Sequence, residues 1–85
     1  MKPPRNCVGP VVRRLREQQG LTQALLVAKL NLAGWDISRE TLAKLESQVR
    51  WVADFELLWL AKALGTDPGS LLDEAAPRQA RRKKA

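Results

Sequence analysis

The residues best suited to chemistry are long polar side chains in two short stretches near the middle of the chain. The first stretch contains Gln23, and the second contains Ser38, Arg39, Glu40 and Lys44. Such amide, hydroxyl, carboxylate and ammonium groups donate or accept hydrogen bonds, and a guanidinium makes two parallel bonds to one planar partner. The set favours recognition of a surface that itself carries hydrogen-bonding groups.

Catalysis and metal binding have little support in the sequence. The chain has no histidine and a single cysteine, Cys7. A Cys/His zinc site, an internal disulfide and histidine-based acid–base catalysis are therefore excluded. No nucleophile lies in a motif with a base. We expect a protein that is not an enzyme, uses no metal or cofactor and has no small-molecule ligand.

The charges are segregated along the chain, which carries a net charge of +6. Nine basic and four acidic residues precede position 51, one lysine faces five acidic residues in 51–76, and five basic residues follow. This pattern predicts one face that meets a polyanion. The alternative is that the basic residues are dispersed in space although they cluster in sequence.

Apolar residues recur at helical spacing in five segments, and no segment shows the alternation of a strand. The predicted helices are 8–20, 22–34, 38–49, 54–64 and a short turn or helix that opens at 67. Their predicted N-caps include Thr22, Ser38, Asp54 and Asp67. We therefore predict an all-α bundle of five short helices over 8–76, with a flexible arm at 1–7 and a disordered basic tail at 77–85.

Helices two and three have the layout of a helix-turn-helix, in which the second helix of the pair enters the DNA major groove. From about residue 8 to 72 the sequence resembles the lambda-repressor-like, Cro-type (XRE) family. The matching residues include Val8-Gly9, Leu15-Arg16, Gly20-Leu21-Thr22-Gln23, Leu26, Ser38, Thr41-Leu42, Leu45-Glu46, Arg50 and most of 57–65. Two features depart from the family pattern. Val27 replaces the usual alanine, and the longer connection before Ser38 predicts either a splayed helix pair or an extended helix two.

The resemblance implies a role for each matching polar residue. Base contacts would come from Arg39, Glu40 and Lys44, and phosphate contacts from Gln23, Ser38 and Arg50. Arg39 is the strongest candidate because arginine can bind guanine through two hydrogen bonds. Glu40 could accept from cytosine, or could form an ordinary surface pair with Lys44 four residues later.

The resemblance also implies an ion pair between Arg16, late in helix one, and Glu46, at the end of helix three. Such a pair would fix helix one against the reading helix. The alternative is two independent surface charges.

Helix four carries more apolar residues than one buried face needs. Phe55, Leu58 and Trp59 form a second stripe, which predicts a homodimer contact or a contact with another protein. The alternative is that Trp51, Val49 or the C-terminal turn covers this stripe. Trp35, in the connection before Ser38, is expected to plug the core, with an exposed ring near DNA as the alternative.

The sequence thus predicts a small transcriptional regulator that binds specific sites in double-stranded DNA, with a repressor or an antitoxin as examples. A protein–protein interaction module on the same scaffold, using helix four, is the alternative. No apolar run reaches the roughly 18 residues of a membrane span, and no secretory signal is evident, so we expect a cytoplasmic protein without membrane contact.

Overall fold

The computed structural model describes residues 3–76, which form five α-helices and, within that range, no strand. The helices are α1 (Gly9–Gln18), α2 (Gln23–Ala33), α3 (Arg39–Glu46), α4 (Asp54–Ala63) and α5 (Pro68–Ala75). The predicted all-α class is confirmed. The predicted basic tail at 77–85 lies outside the described residues.

The core is built mainly from leucines contributed by every helix except the first, which supplies valines. The largest fully buried side chains are Val12, Leu26, Leu30, Leu42, Leu45, Leu60 and Leu71. α3 packs on α1 and α2, whereas α4 packs on α2 and α5. This arrangement supports α3 from the core side and leaves its outer side open.

Three of the four predicted N-caps are confirmed. The hydroxyl of Thr22 accepts from the backbone N–H of Leu25 at 3.1 Å, and that of Ser38 accepts from Thr41 at the same distance. Asp67 caps α5 in the same way. Asp54, the fourth, is wrong: it lies inside α4, and the N-cap is Ala53, whose N–H donates to the Glu56 carboxylate at 3.0 Å.

α3 ends three residues earlier than the predicted range of 38–49. Its end is a Schellman motif, in which the N–H of Val49 donates to the carbonyl of Lys44 and that of Gln48 to Leu45. The motif needs a left-handed residue, and Gln48 supplies it at φ 67°. No glycine marks the end of α3, so the apolar spacing predicted a helix that continued to Val49. In the structure Val49 lies beyond the helix and is exposed.

α2 takes up most of the stretch between Thr22 and Ser38, the N-cap of α3. α2 continues to Ala33 and ends at Gly34, whose φ of 114° a side chain rarely adopts. Trp35 and Ile37 then turn into the core. The Asn31 amide donates to both of their carbonyls, at 2.8 and 3.2 Å. Trp35 is therefore a core residue, as expected.

The described part of the predicted flexible arm is instead attached to the end of α3. The Asn6 amide donates to the carbonyls of Leu45 at 3.0 Å and Arg50 at 2.8 Å. The N–H of Arg5 donates to Gln48 at 3.0 Å. Gly9, the first residue of α1, allows α1 to lie close to the end of α3, because a Cβ there would lie 2.4 Å from the Leu45 carbonyl oxygen.

Candidate nucleic-acid interface

The outer face of α3 presents the three side chains predicted to contact bases. Arg39, Glu40 and Lys44 are exposed, whereas Leu42 and Leu45 on the opposite face are fully buried. None of the three belongs to an ion pair within residues 3–76, so the Glu40–Lys44 surface pair is not formed there. Their charged groups are available to an incoming ligand.

Ser38 stands at the start of this face with its hydroxyl already engaged. Besides capping α3, the hydroxyl donates to the Thr41 hydroxyl at 2.9 Å. The two hydroxyls form a small exposed pair at the helix N-terminus, where the partial positive charge of the helix favours an anion.

A buried ionic network holds α1, α2 and α3 together behind the exposed face. The Arg16 guanidinium makes two hydrogen bonds to the Glu46 carboxylate, at 2.8 and 3.0 Å, and a third to the Leu21 carbonyl at 2.8 Å. The Gln23 amide donates to the same carboxylate at 3.1 Å. The side chains of Arg16 and Glu46 are 9% and 4% exposed, so they are not independent surface charges.

The network neutralises its own charge and fixes the orientation of Gln23. Hydrogen bonding to Glu46 raises the pKa of Arg16 against the opposing effect of burial, so the guanidinium stays charged. Because a carboxylate only accepts hydrogen bonds, Gln23 must turn its NH₂ group toward Glu46. One of its N–H groups is used there, and the residue also lines a cleft next to Arg13.

The resemblance implied that Arg50 contacts a phosphate. In the structure its side chain is instead paired within the fold. Its guanidinium makes two hydrogen bonds to the Glu56 carboxylate, at 2.9 and 3.1 Å, and lies 5.8 Å from the ring centre of Trp35. These bonds lower the pKa of Glu56 and raise that of Arg50. We therefore assign Arg50 to positioning the α3–α4 loop, since its charge is compensated within the fold.

Two clefts flank α3 and contain residues that the sequence reasoning missed. One joins Arg13 of α1 to Gln23 and Ser47. The other joins Arg5 and Lys44 to Trp51, whose side chain is 70% exposed. No pattern marked Arg5 or Arg13, because the first lies in the arm and the second in an amphipathic helix. Only the packing of α1 and the arm on α3 brings them to this face.

The predicted apolar stripe of α4 is divided by the fold. Phe55 and Leu58 are 54% and 59% exposed. Trp59 is half-buried, because its ring stacks on Trp35 at 5.6 Å and meets the edge of Phe55 at 5.5 Å. Part of the stripe is thus covered by Trp35. The sequence had suggested Trp51, Val49 or the C-terminal turn as the covering elements.

Two other kinds of feature, a membrane span and a metal cluster, do not occur among the described residues. No helix among them is long and apolar enough to cross a membrane. No group of three metal-ligating side chains occurs between residues 3 and 76.

An all-α domain whose third helix packs on the first two and exposes cationic and carboxylate groups has the architecture of a helix-turn-helix domain. The sequence matches the helix-turn-helix family over residues 12–71, and the chain belongs to that family, of the XRE type. It is a DNA-binding transcriptional regulator.

A solved structure of similar fold is that of the clp gene regulator ClgR from C. glutamicum. The two are 25% identical in sequence and superpose with a TM-score of 0.73, over 88% of this chain and 91% of that one. A search of curated proteins found no match.

Proposed function

We propose that the protein recognises a specific site in duplex DNA by placing α3 in the major groove. The observation that carries the proposal is the contrast between the two sides of α3. A buried, fully bonded network fixes the helix from behind, while Arg39, Glu40 and Lys44 stand free in front. Because the helix backbone is already fixed, binding requires ordering of these side chains but no rearrangement of the helix that carries them.

Each of the three side chains has a distinct chemical role in this proposal. Arg39, on the first turn, donates two hydrogen bonds to guanine O6 and N7. Lys44 donates to a base or to a neighbouring phosphate. Glu40 accepts from the amino group of cytosine, because a carboxylate that found no such donor would only be repelled by the phosphates.

Phosphates on either side of the groove would hold the helix in register. Gln23 would donate from the N-terminus of α2. At the N-terminus of α3 the donor would be the Thr41 hydroxyl, because the Ser38 hydroxyl hydrogen is already directed to Thr41. Arg5 and Arg13 line the two flanking clefts. Arg13 is paired with Glu17, but both side chains are exposed, and such a surface pair is weak enough to be exchanged for a phosphate. These contacts supply affinity that falls with salt and does not depend on sequence.

The experiment is selection of binding sites from a random duplex pool, followed by affinity measurements on the selected site. We expect Arg39→Ala to weaken specific binding by about 1–3 kcal/mol and to relax the preference at one base pair. Arg13→Ala should weaken binding to all sequences and reduce the salt slope by about one.

Arg14→Ala is the matched control, since it removes the same charge from the next residue of α1, which is paired with Glu74 on α5 and lines neither cleft. It should leave both the selected sequence and the base preference unchanged. A pool that yields no preferred sequence, or an Arg39 variant with unaltered preference, would contradict the proposed recognition.

The exposed apolar face of α4 supports a second proposal, that the protein also contacts another polypeptide. Phe55 and Leu58 form the exposed part of this face. Such a contact suits a regulator that binds as a homodimer, and it equally suits a repressor or antitoxin controlled by a partner protein. A regulator of this kind would act in the cytoplasm with the DNA, and its role is binding and not catalysis.

A further inference from the structure

One of the two clefts beside α3 combines cationic, hydroxyl and apolar side chains. We call it the arm cleft, and its lining residues are Arg5, Thr41, Lys44, Val49, Arg50 and Trp51. Val49 and Trp51 are 56% and 70% exposed, although both side chains are large and apolar. Neither Arg5 nor Lys44 takes part in an ion pair within residues 3–76. The cleft therefore offers an apolar surface and two cations that no described carboxylate neutralises.

The backbone that carries these side chains is fixed by hydrogen bonds. The Arg50 guanidinium donates to the carbonyl of Trp51 at 2.9 Å and is itself held by two bonds to the Glu56 carboxylate. The N–H of Arg5 donates to the carbonyl of Gln48 at 3.0 Å. An exposed ring on a fixed backbone meets a partner without rearrangement of the chain. Arg50 thereby acts as a positioning residue for Trp51.

The position of the arm cleft selects its occupant. Thr41 and Lys44 lie one turn apart on α3, and Lys44 also belongs to the exposed face that is proposed to enter the major groove. An α-helix with its side chains is about 10–12 Å in diameter, and the major groove is about 12 Å wide. A helix in the groove therefore brings its flanks against the two sugar–phosphate strands that border it. The arm cleft lies on one of these flanks.

The chemistry of the cleft matches that of a sugar–phosphate strand, in which anionic phosphates alternate with the apolar faces of deoxyribose. Arg5 and Lys44 are suited to neutralise phosphates, and the Thr41 hydroxyl is suited to donate to one. An indole ring has apolar faces and one N–H donor, so Trp51 can cover a deoxyribose and donate to the adjoining phosphate.

We infer that the arm cleft binds one backbone strand of the duplex, with Trp51 packed on a deoxyribose at the edge of the recognised site. The inference rests on the proposed function and deepens it, because it adds an apolar contact to a backbone otherwise held by charge and hydrogen bonds. A protein partner would suit Val49 and Trp51 as well, but the two cations and their place beside the exposed face of α3 favour DNA.

The first test compares variants by fluorescence anisotropy of a labelled duplex that carries the selected site. We expect Trp51→Ala to bind about tenfold more weakly than the wild type, a loss typical of truncating an interface tryptophan. Its salt slope and base preference should not change, because an indole carries no charge and a sugar carries no sequence information. Arg5→Ala should instead reduce the salt slope by about one. Leu32→Ala is the matched control, since it removes an apolar side chain that is 89% exposed and lines neither cleft, and it should bind like the wild type.

The second test shows directly whether the ring is covered in the complex. The chain has three tryptophans, so the difference in fluorescence between the wild type and Trp51→Phe reports on Trp51 alone. Acrylamide should quench this difference signal in the free protein and quench it much less when the duplex is bound. Because phenylalanine keeps an aromatic ring, this measurement does not depend on the folding of Trp51→Ala.

Two results would overturn the inference. One is an affinity of Trp51→Ala for the duplex equal to that of Leu32→Ala. The other is quenching of Trp51 that the duplex does not reduce, which would assign this surface to a protein partner. Either result leaves the proposed function standing when the wild type still binds its selected site. If the wild type binds no duplex, the proposed function itself fails and the inference falls with it.

Discussion

The ionic network of Arg16, Gln23 and Glu46 gives the sharpest prediction about stability. Replacing Glu46 by alanine leaves two Arg16 nitrogens and the Gln23 amide without their acceptor. The guanidinium keeps its bond to the Leu21 carbonyl and a looser contact with the exposed Glu17 carboxylate at 3.9 Å, but it loses its buried counter-charge in a site where its side chain is 9% exposed. Removing one partner of a buried pair costs about 3–5 kcal/mol, because the other charge is left uncompensated.

That loss is large against the whole stability of so small a domain. At roughly 0.05–0.15 kcal/mol per residue, a chain of this size has on the order of 4–13 kcal/mol. Arg16→Ala should cost a similar amount. The double variant Arg16→Ala/Glu46→Ala should cost less than the two single losses together, by about 2–4 kcal/mol, since it leaves no unpaired charge behind.

The assay is urea unfolding followed by tryptophan fluorescence, with the four proteins of a double-mutant cycle. If a single variant is unfolded in buffer, all four are measured at one fixed concentration of a stabilising osmolyte. The control cycle uses Arg13 and Glu17, an exposed pair at 3.3 Å on α1. Its coupling should be about 0.3–0.5 kcal/mol. A coupling between Arg16 and Glu46 no larger than that of the control would refute the reasoning.

Three further predictions concern the junction of the arm, α3 and α4. Gly9→Ala should destabilise the fold by about 1–3 kcal/mol, because its Cβ would lie 2.4 Å from a backbone oxygen of α3. Gly69→Ala, whose Cβ would meet only the end of the Asp67 side chain, at 3.2 Å, should cost much less. Gln48→Ala should cost about 1 kcal/mol, since it loses a hydrogen bond of 2.8 Å and keeps φ at 67°. Gln48→Gly should be close to wild type, because relief of the left-handed conformation offsets that loss. Since the pKa of Glu56 is lowered by Arg50, its contribution to stability is complete above the ordinary glutamate pKa of about 4.3 and is lost as the pH falls through the lower folded value. Thermal unfolding between pH 3 and 7 should therefore show a shallower acid decline for Glu56→Gln.

Each of these predictions has a result that contradicts it. Equal stability of the Gly9 and Gly69 variants would mean that α1 does not approach α3 as closely as described. Equal losses for the two Gln48 variants would show that the left-handed turn carries no cost. If thermal stability falls with acid as steeply in Glu56→Gln as in the wild type, the Arg50–Glu56 pair does not contribute to that fall.

The limits of helices are predictable where a local signal exists. Thr22, Ser38 and Asp67 carry hydroxyl or carboxylate groups that satisfy the first free N–H groups of a helix, and all three act as caps. The predicted N-cap of α4 was wrong because the actual N-cap, Ala53, has no such group. The carboxylate of Glu56, three residues later, serves its N–H. The end of α3 misled it because glutamine occupies a position that glycine usually fills.

In the candidate site, too, some features were predictable from local sequence and others were not. The face of α3 was predictable, because its buried leucines recur at helical spacing and leave Arg39 and Lys44 on the other side. The internal use of Arg50 by Glu56 was not, since two charges six residues apart can pair only when a loop folds one back on the other.

The sequence by itself therefore determined the helices, their order and the polar face of α3, since periodicity and capping act over a few residues. Only the tertiary structure decided which charges remain free. In the folded chain Arg16 is buried with Glu46, and Arg50 is paired with Glu56. Trp35 covers Trp59, and the packing of α1 and the arm places Arg5 and Arg13 beside α3. Such pairings join residues distant in the chain, and they form only because the helices bury a common core.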